Sequence, residues 1–278
     1  MGHGGLVEGA LVELVGVYAG YGRRLVLRGV SLSLGGRTYC VVVGGNGSGK
    51  TTLLRVAAGV LPPRRGSVRV LGADPFRAYS VRRRVGYVPV RGLPCGVRVG
   101  SLLRWYAGLL GCKWGEAAWL LEELGVDRLL GLDCCALSTG QQRRVLYALG
   151  LMCGRRVVLV DEPLSGLDAG AARTVSGLLR SVVREGGVVV TATHSLEGVD
   201  ADYIVVLTRG RVIYAGGLRG LEARLKVIHV ESLLARIASR LKRLGCAVMP
   251  GERGVSIACP RDAADEALEA LGGRGASA

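Results

Sequence analysis

The sequence has a single Phe, and no apolar run approaches the roughly 18 to 20 residues that a membrane-spanning helix needs. The stretch from Met1 to Gly9 lacks a basic region followed by an apolar core, so we expect no signal peptide. We therefore predict a protein made and kept in the cytoplasm. The 278 residues are 49% hydrophobic, enough for a large aliphatic domain with a small appendage.

The 8 Cys residues show neither paired C-x-x-C motifs nor a Cys/His spacing that indicates zinc. Cys134 and Cys135 are adjacent, which suits neither a metal site nor a mutual disulfide. We expect most of the cysteines to be buried small hydrophobic residues in a reducing cytosol.

The formal net charge is +15, and Arg far outnumbers Lys. A basic surface suits nucleic acid, anionic lipid or an acidic partner. Here, however, the basic residues are spread along the chain without interleaved aromatic residues, whereas nucleic-acid surfaces usually cluster their charge. We interpret the excess as solvated surface charge and predict no nucleic-acid partner.

One glycine-rich segment fits the phosphate-binding pattern G-x-x-x-x-G-K-[ST]. It follows an apolar run, Tyr39 to Val43, that predicts a buried strand, and it precedes the helical stretch Leu53 to Ala58. Its glycines let successive N–H groups face an anion, and the helix dipole favours the same position. Lys50 is expected to reach the β- and γ-phosphates, and the Thr51 hydroxyl to bind Mg²⁺. The predicted nucleotide-binding residues are Gly44, Asn46, Gly47, Ser48, Gly49, Lys50, Thr51 and Thr52.

Two further apolar runs predict buried strands that end in chemically active residues. The first ends in Asp161 and Glu162, which are placed to hold Mg²⁺ through water and to act as general base on the attacking water. The second, Val188 to Thr193, ends in His194, which has either a structural role or a role at the phosphates. Asp168 is placed to be the N-cap of the intervening helix.

The remaining segments complete the predicted organisation. Strands are expected between Ala10 and Leu34, and either Tyr18 or Tyr21 could stack on adenine or be an ordinary turn or sheet residue. Residues 91 to about 154 are rich in helical patterns and predict a helical insertion. Residues 226–278 predict a small βαββα-like appendage outside the main domain of residues 1–225, with amphipathic helices.

The segment Leu137 to Gln141 reads LSTGQ and resembles the LSGGQ signature of the ATP-binding-cassette (ABC) family, with Thr in the third position. The phosphate loop, this signature, the Asp161–Glu162 strand and His194 occur in the family's order, over roughly Leu11 to Gly217. The resemblance implies an α/β fold with a RecA-like P-loop NTPase core, an antiparallel β subdomain and an inserted helical subdomain.

The resemblance also implies a role for a second copy of the cassette. Two cassettes would close head to tail on two ATP molecules, as a homodimer or a mixed pair. Ser138, Gly140 and Gln141 of one copy would contact the γ-phosphate that the other copy holds. His194 resembles the family's γ-phosphate switch, Asp168 the residue linking the two sites, and Tyr21, rather than Tyr18, the adenine-stacking aromatic residue.

One position departs from the family pattern. The strand Gly86 to Pro89 is followed by Val90, where the family normally has a Gln that contacts Mg²⁺ and the attacking water. Valine offers no ligand or hydrogen-bonding group, so slower hydrolysis or altered coupling to a partner is expected, unless a nearby polar group serves instead.

We therefore predict an ATP-hydrolysing ABC transporter subunit with ATP and Mg²⁺ as cofactors. It would act at the inner face of the cell membrane on a permease subunit encoded as a separate chain. The appendage resembles the tails of exporter ATPases and favours export, although a dimer contact is an equal alternative. Two other hypotheses are a soluble ABC ATPase acting on nucleic acid or ribosomes, and an ATP-gated module with weak hydrolysis.

Overall fold

The computed structural model describes residues 9–194, 201–217, 220–221, 225–230, 233, 235–251 and 254–271. The first layer is an antiparallel three-stranded sheet with strand order β2-β1-β4. Its strands are β1 (Val12–Tyr21), β2 (Arg24–Leu34) and β4 (Arg65–Val70). Alternate residues of β1 are buried, as expected for a sheet with one face on the core.

A six-stranded sheet in the order β5-β6-β7-β3-β8-β9 forms the centre of the molecule. Its strands are parallel except for β9, which pairs antiparallel with β8. The strands are β3 (Thr38–Val43), β5 (Val85–Val88), β6 (Val157–Asp161), β7 (Val188–Thr193), β8 (Tyr203–Thr208) and β9 (Arg211–Gly216). Every residue of β6 is buried, which explains its continuous apolar sequence.

The register of the central strands determines which residues meet at the edge of the six-stranded sheet. Val43 at the end of β3 pairs with Thr193 of β7, and Asp161 at the end of β6 pairs with Ala192. Two helices of this layer are α1 (Lys50–Ala57) and α6 (Ala169–Arg184). The phosphate loop, Glu162 and His194 therefore leave the sheet at one edge.

Helices occupy the chain between β5 and β6, as the sequence predicts. These helices are α3 (Val99–Leu110), α4 (Ala118–Glu123) and α5 (Thr139–Leu151). A short helix, α2 (Tyr79–Arg82), precedes β5. A 3₁₀ turn, Trp114–Ala117, leads directly into α4. Among the described residues, no helix has the length and apolar character needed to cross a bilayer.

The expectation of reduced cysteines is wrong for six of the eight. Three disulfides join Cys95 to Cys135, Cys112 to Cys153, and Cys246 to Cys259. The first two connect positions 40 and 41 residues apart in the helical region, so they close long loops of the unfolded chain. Cys40 and Cys134 are free and buried, and burial raises the pKa of both thiols.

The appendage has the predicted βαββα order: β10 (Leu225–Val230), α7 (Ala235–Arg243), β11 (Ala247–Gly251), β12 (Gly254–Pro260) and α8 (Ala264–Ala270). Its antiparallel sheet has the order β10-β12-β11. Ala247, Met249 and Ala258 share a buried cluster with Val43 and Val206 of the central sheet. The appendage therefore packs directly on the strands that carry the phosphate loop.

Candidate nucleotide site

The phosphate loop joins β3 to α1 in a conformation that needs its glycines. A Cβ at Gly44 would lie 2.1 Å from the carbonyl oxygen of Leu207, so no larger residue fits there. Gly47 and Gly49 have φ values of +75° and +111°, which L side chains rarely adopt. Gly49 caps α1, and the N-terminus of this helix supports an anion at the loop.

The two polar residues at the start of α1 face the acids of β6. Lys50 is buried, and its Nζ donates to the carbonyl oxygen of Gly44 at 2.7 Å. Burial lowers the pKa of Lys50, and the carboxylates of Glu162 and Asp161 oppose this effect. The Thr51 hydroxyl donates to Oδ2 of Asp161 at 2.7 Å. The predicted phosphate and metal residues are therefore neighbours, although 110 residues separate Thr51 from Asp161.

Glu162 and His194 form a second pair at the same edge. His194 Nδ1 lies 3.1 Å from Oε2 of Glu162, and both side chains are partly exposed. Glu162 has φ of +49°, an uncommon value for a residue with a side chain, while its N–H donates to the carbonyl oxygen of Ala192. Strained backbone of this kind is typical of functional positions. Ser195, the next residue, lies outside the described part of the chain.

Arg143 connects three segments around this pair. Its side chain is only 2% exposed, and its guanidinium donates to the carbonyl oxygens of Pro89, Asp161 and Glu162 at 2.5, 3.3 and 2.8 Å. The guanidinium also lies 5.3 Å from the ring centroid of Tyr147. Helix α5 is thereby fixed to the segment before Val90 and to the backbone of Glu162. The role of Arg143 was not predictable from the sequence, because one more Arg in an Arg-rich chain gives no signal of burial.

The residues of the LSTGQ segment begin helix α5. Ser138 is the N-cap, and its Oγ accepts from the N–H of Gln141 at 3.3 Å while the Gln141 side chain accepts from the N–H of Ser138. This reciprocal capping box leaves the helix start open to solvent. A Cβ at Gly140 would lie 3.1 Å from the carbonyl oxygen of Gly166, so the segment lies against the loop that follows Glu162.

Asp168 is the N-cap of α6, as predicted, and accepts from the N–H of Ala171 at 2.8 Å. Its other carboxylate oxygen lies 2.5 Å from Arg144 Nη2 of α5. The Ala171 hydrogen bond, followed by Arg144, holds the pKa of this carboxyl below its usual value. The loop after Glu162 is thus joined to α5 at Asp168.

The comparison with known families agrees with this geometry. The profile of the family described as "ABC transporter" matches residues 27–165. The archaeal molybdate/tungstate import ATP-binding protein WtpC of Archaeoglobus fulgidus is 32% identical over 200 residues, covering 67% of this chain and 80% of the relative. The chain belongs to the ABC transporter family. The predicted family, fold class and ATPase class are therefore confirmed.

A second curated relative is much longer than this chain. The bovine (Bos taurus) retinal-specific phospholipid-transporting ATPase ABCA4 is 31% identical over 221 residues, which is 76% of this chain and 10% of that protein. The chain therefore spans about a tenth of the length of that relative. Among solved structures, an ATP-binding subunit of an ABC transporter superposes with a TM-score of 0.71 at 25% identity, covering 77% of this chain and 92% of that one.

Two predictions from the ABC resemblance concern residues near the site: the adenine-stacking tyrosine and Val90. Tyr21 is 42% exposed at the end of β1, and its hydroxyl accepts from Arg55 Nη1 at 3.0 Å. Tyr18 is half-buried, with its hydroxyl close above Gly29, so its ring is less free to receive a base. Val90 is half-buried directly after the carbonyl that Arg143 binds.

Proposed function

We propose that this ABC protein is the ATP-hydrolysing subunit of a transporter whose membrane-spanning subunits are separate chains. WtpC, which bears the name of an ATP-binding protein of an import system and is covered over 80% of its length, supports a separate subunit. We place the chain on the inner face of the membrane. Export is the direction that the appendage favours. The transport names of the relatives do not favour the alternative of a nucleic-acid or ribosome ATPase.

The phosphate loop is proposed to bind ATP, with Lys50 on the β- and γ-phosphates and Tyr21 under the adenine. Asn46, Ser48 and Thr52 complete the loop with the glycines described above. The buried Lys50 offers one cation at this position, and the loop and helix N–H groups supply further donors.

Mg²⁺ fits the oxygen atoms next to the loop. The Thr51 hydroxyl and the Asp161 carboxylate are in contact, and these are the hard oxygen donors that Mg²⁺ uses beside phosphates and water. Among the described residues, no group of three or more His, Cys, Asp or Glu could hold a metal alone, which agrees with an ion that is bound together with nucleotide. When bound, the ion would neutralise phosphate charge.

Glu162 is proposed to be the general base. Its carboxylate would accept a proton from the water that attacks the γ-phosphorus, while the bond from that phosphorus to the ADP oxygen breaks. His194, 3.1 Å away, is placed to orient the carboxylate and to contact the γ-phosphate. The Glu162–His194 pair beside Lys50 and Thr51 is the observation that carries the proposed activity.

The second half of each site is proposed to come from another copy. The start of α5 is open to solvent and presents N–H groups and Ser138 to an anion, while Gly140 and Gln141 shape the same surface. Asp168 would link the two sites.

We propose residues 1–225 as the cassette, about 91–154 as its helical subdomain, and 226–278 as an accessory domain.

Complementation between two inactive variants tests this head-to-tail arrangement. Ser138→Arg and Glu162→Gln are each expected to lower ATP turnover by at least about 100-fold. In an equimolar mixture, mixed dimers combine an intact Glu162 with an intact signature at one of their two sites. We therefore expect about a quarter of the wild-type turnover to return, measured as phosphate release. A mixture that stays inactive while ATP binding and folding are intact would contradict the shared site.

The substitution Val90→Gln tests the departure from the family pattern. If Val90 limits hydrolysis, the added amide would supply the missing polar contact at the attacking water, and turnover should rise about three- to tenfold. Phosphate release at saturating Mg–ATP measures the effect, with Val90→Leu as the apolar control. Unchanged turnover in Val90→Gln would show that another group already fills this role.

A further inference from the structure

A basic pocket lies where the cassette meets the appendage. Its cavity volume is about 890 Å³, and it is lined by β2, the turn between β8 and β9, and the end of α7. Seven cationic side chains line it: Arg23, Arg24, Arg28, Arg209, Arg211, Lys242 and Arg243. We call this the seam pocket. Five of its cations come from the cassette and two from the appendage.

The charge of the seam pocket is unbalanced. None of its lining residues is acidic, and none of the seven cations forms an ion pair within the described ranges. Seven like charges around one concave surface repel one another and create a strong positive potential. A bound anion would relieve that repulsion.

Direct contacts hold the two sides of the pocket in place. The Thr208 hydroxyl donates to the carbonyl oxygen of Cys246 at 3.2 Å, and Arg209 Nη1 donates to the carbonyl oxygen of Lys242 at 3.3 Å. A Cβ at Gly45 would lie 2.3 Å from the carbonyl oxygen of Val248, so the appendage touches the phosphate loop itself. The cations of α7 are therefore held opposite those of β2.

We propose that the seam pocket binds an anion that carries several phosphate groups. Six of the seven cations are Arg, whose planar guanidinium binds phosphate through paired hydrogen bonds. The volume is in the range of small-molecule sites, about 300 to 1,000 Å³. This pocket adjoins the nucleotide site at Gly47 but extends away from the phosphate-binding side chains, because neither Lys50 nor Thr51 lines it.

Binding in the seam pocket would join the appendage more firmly to the cassette. An anion that contacts both Arg209 of the turn and Arg243 of α7 bridges the two units, next to the backbone of Gly47. The ligand would thus stabilise the docked appendage and influence the phosphate loop. The shared chemistry is a cluster of phosphates, carried either by a soluble molecule or by phospholipid headgroups.

Calorimetric titration of the full chain with inositol hexakisphosphate tests the proposal. We expect one equivalent to bind in the absence of nucleotide, and Lys242→Ala/Arg243→Ala to weaken binding at least about tenfold. The matched control is Arg128→Ala/Arg173→Ala, which removes the same charge from exposed positions outside the pocket. Lys50→Ala should bind the probe as tightly as wild type, because the phosphate loop is a different anion site.

A parallel measurement uses co-sedimentation with phosphatidylglycerol vesicles, with phosphatidylcholine vesicles as the neutral comparison. The proposal is supported if the seam-pocket variant, but not the control variant, loses binding to inositol hexakisphosphate or to the anionic vesicles. The probe whose binding is lost then identifies the source of the phosphates. The proposal would be overturned if the seam-pocket and control variants lost binding equally, if Lys50→Ala lost binding, or if neither probe bound to the wild type. Circular dichroism of each variant verifies that the chain is folded.

Discussion

Replacing Glu162 by Gln should lower ATP turnover by at least about 100-fold while leaving ATP binding intact. The amide cannot accept the proton of the attacking water, whereas it keeps the shape of the side chain and a polar contact to His194, 3.1 Å away in the wild type. Lys50 and Thr51, which are proposed to bind the phosphates and Mg²⁺ respectively, are unchanged. ATP should therefore bind without being consumed, and the dimer that it closes should persist.

Two measurements check this prediction. Phosphate release at saturating Mg–ATP gives the turnover, and light scattering with and without ATP gives the mass of the particle. Glu123→Gln is the matched control, because Glu123 is an exposed carboxylate on α4, outside the Glu162–His194 site. Turnover within about threefold of wild type in Glu162→Gln would contradict the role of Glu162 as general base.

The sequence predicted those parts of the site that depend on local pattern and strand order. Apolar runs identified β3, β6 and β7, and parallel strands must end at one edge, so Lys50, Asp161, Glu162 and His194 were expected together. The structure confirms their proximity through the Thr51–Asp161 and Glu162–His194 contacts. Their roles in binding and hydrolysis, and the dimer that completes the site, stay predictions.

Long-range contacts were not predictable in the same way. Arg143 resembles its exposed neighbours in sequence, and its burial follows only from the approach of Pro89 and Glu162 to α5. The disulfide partners were hidden as well, because residues 40 positions apart, such as Cys95 and Cys135, carry no local sign of proximity.

Two neighbouring residues of α5 join this helix to the segment from Glu162 to Asp168. Arg143 binds the backbone of Glu162 from within the core, and Arg144, the next residue, binds Asp168 from the surface. The helix that begins with the predicted signature is therefore fixed to the loop that carries Glu162, the proposed general base. A shift of this helix would move the backbone of Glu162 with it. Arg143 is thus a positioning residue, and its removal has a large expected effect.

Arg143→Met should destabilise the protein by about 3 kcal/mol, and lower its melting temperature by roughly 5 to 10 °C. Methionine replaces much of the buried stem, but it leaves the carbonyl oxygens of Pro89, Asp161 and Glu162 without their charged donor. Because the peptide after Asp161 loses this support, turnover should also fall roughly tenfold, with the KM for ATP less affected than kcat.

The neighbouring residue provides the control for Arg143→Met. Arg144→Met removes the same charge and the same side-chain type from the same helix, but its pair with Asp168 is partly exposed, with side-chain exposures of 31% and 62%. Because water screens such a pair, Arg144→Met should change the melting temperature of the protein by no more than a few degrees. Thermal unfolding followed by circular dichroism compares the two variants. Equal losses of stability would show that the buried hydrogen bonds of Arg143 carry no special weight, whereas a loss confined to Arg143→Met assigns the effect to the three carbonyls.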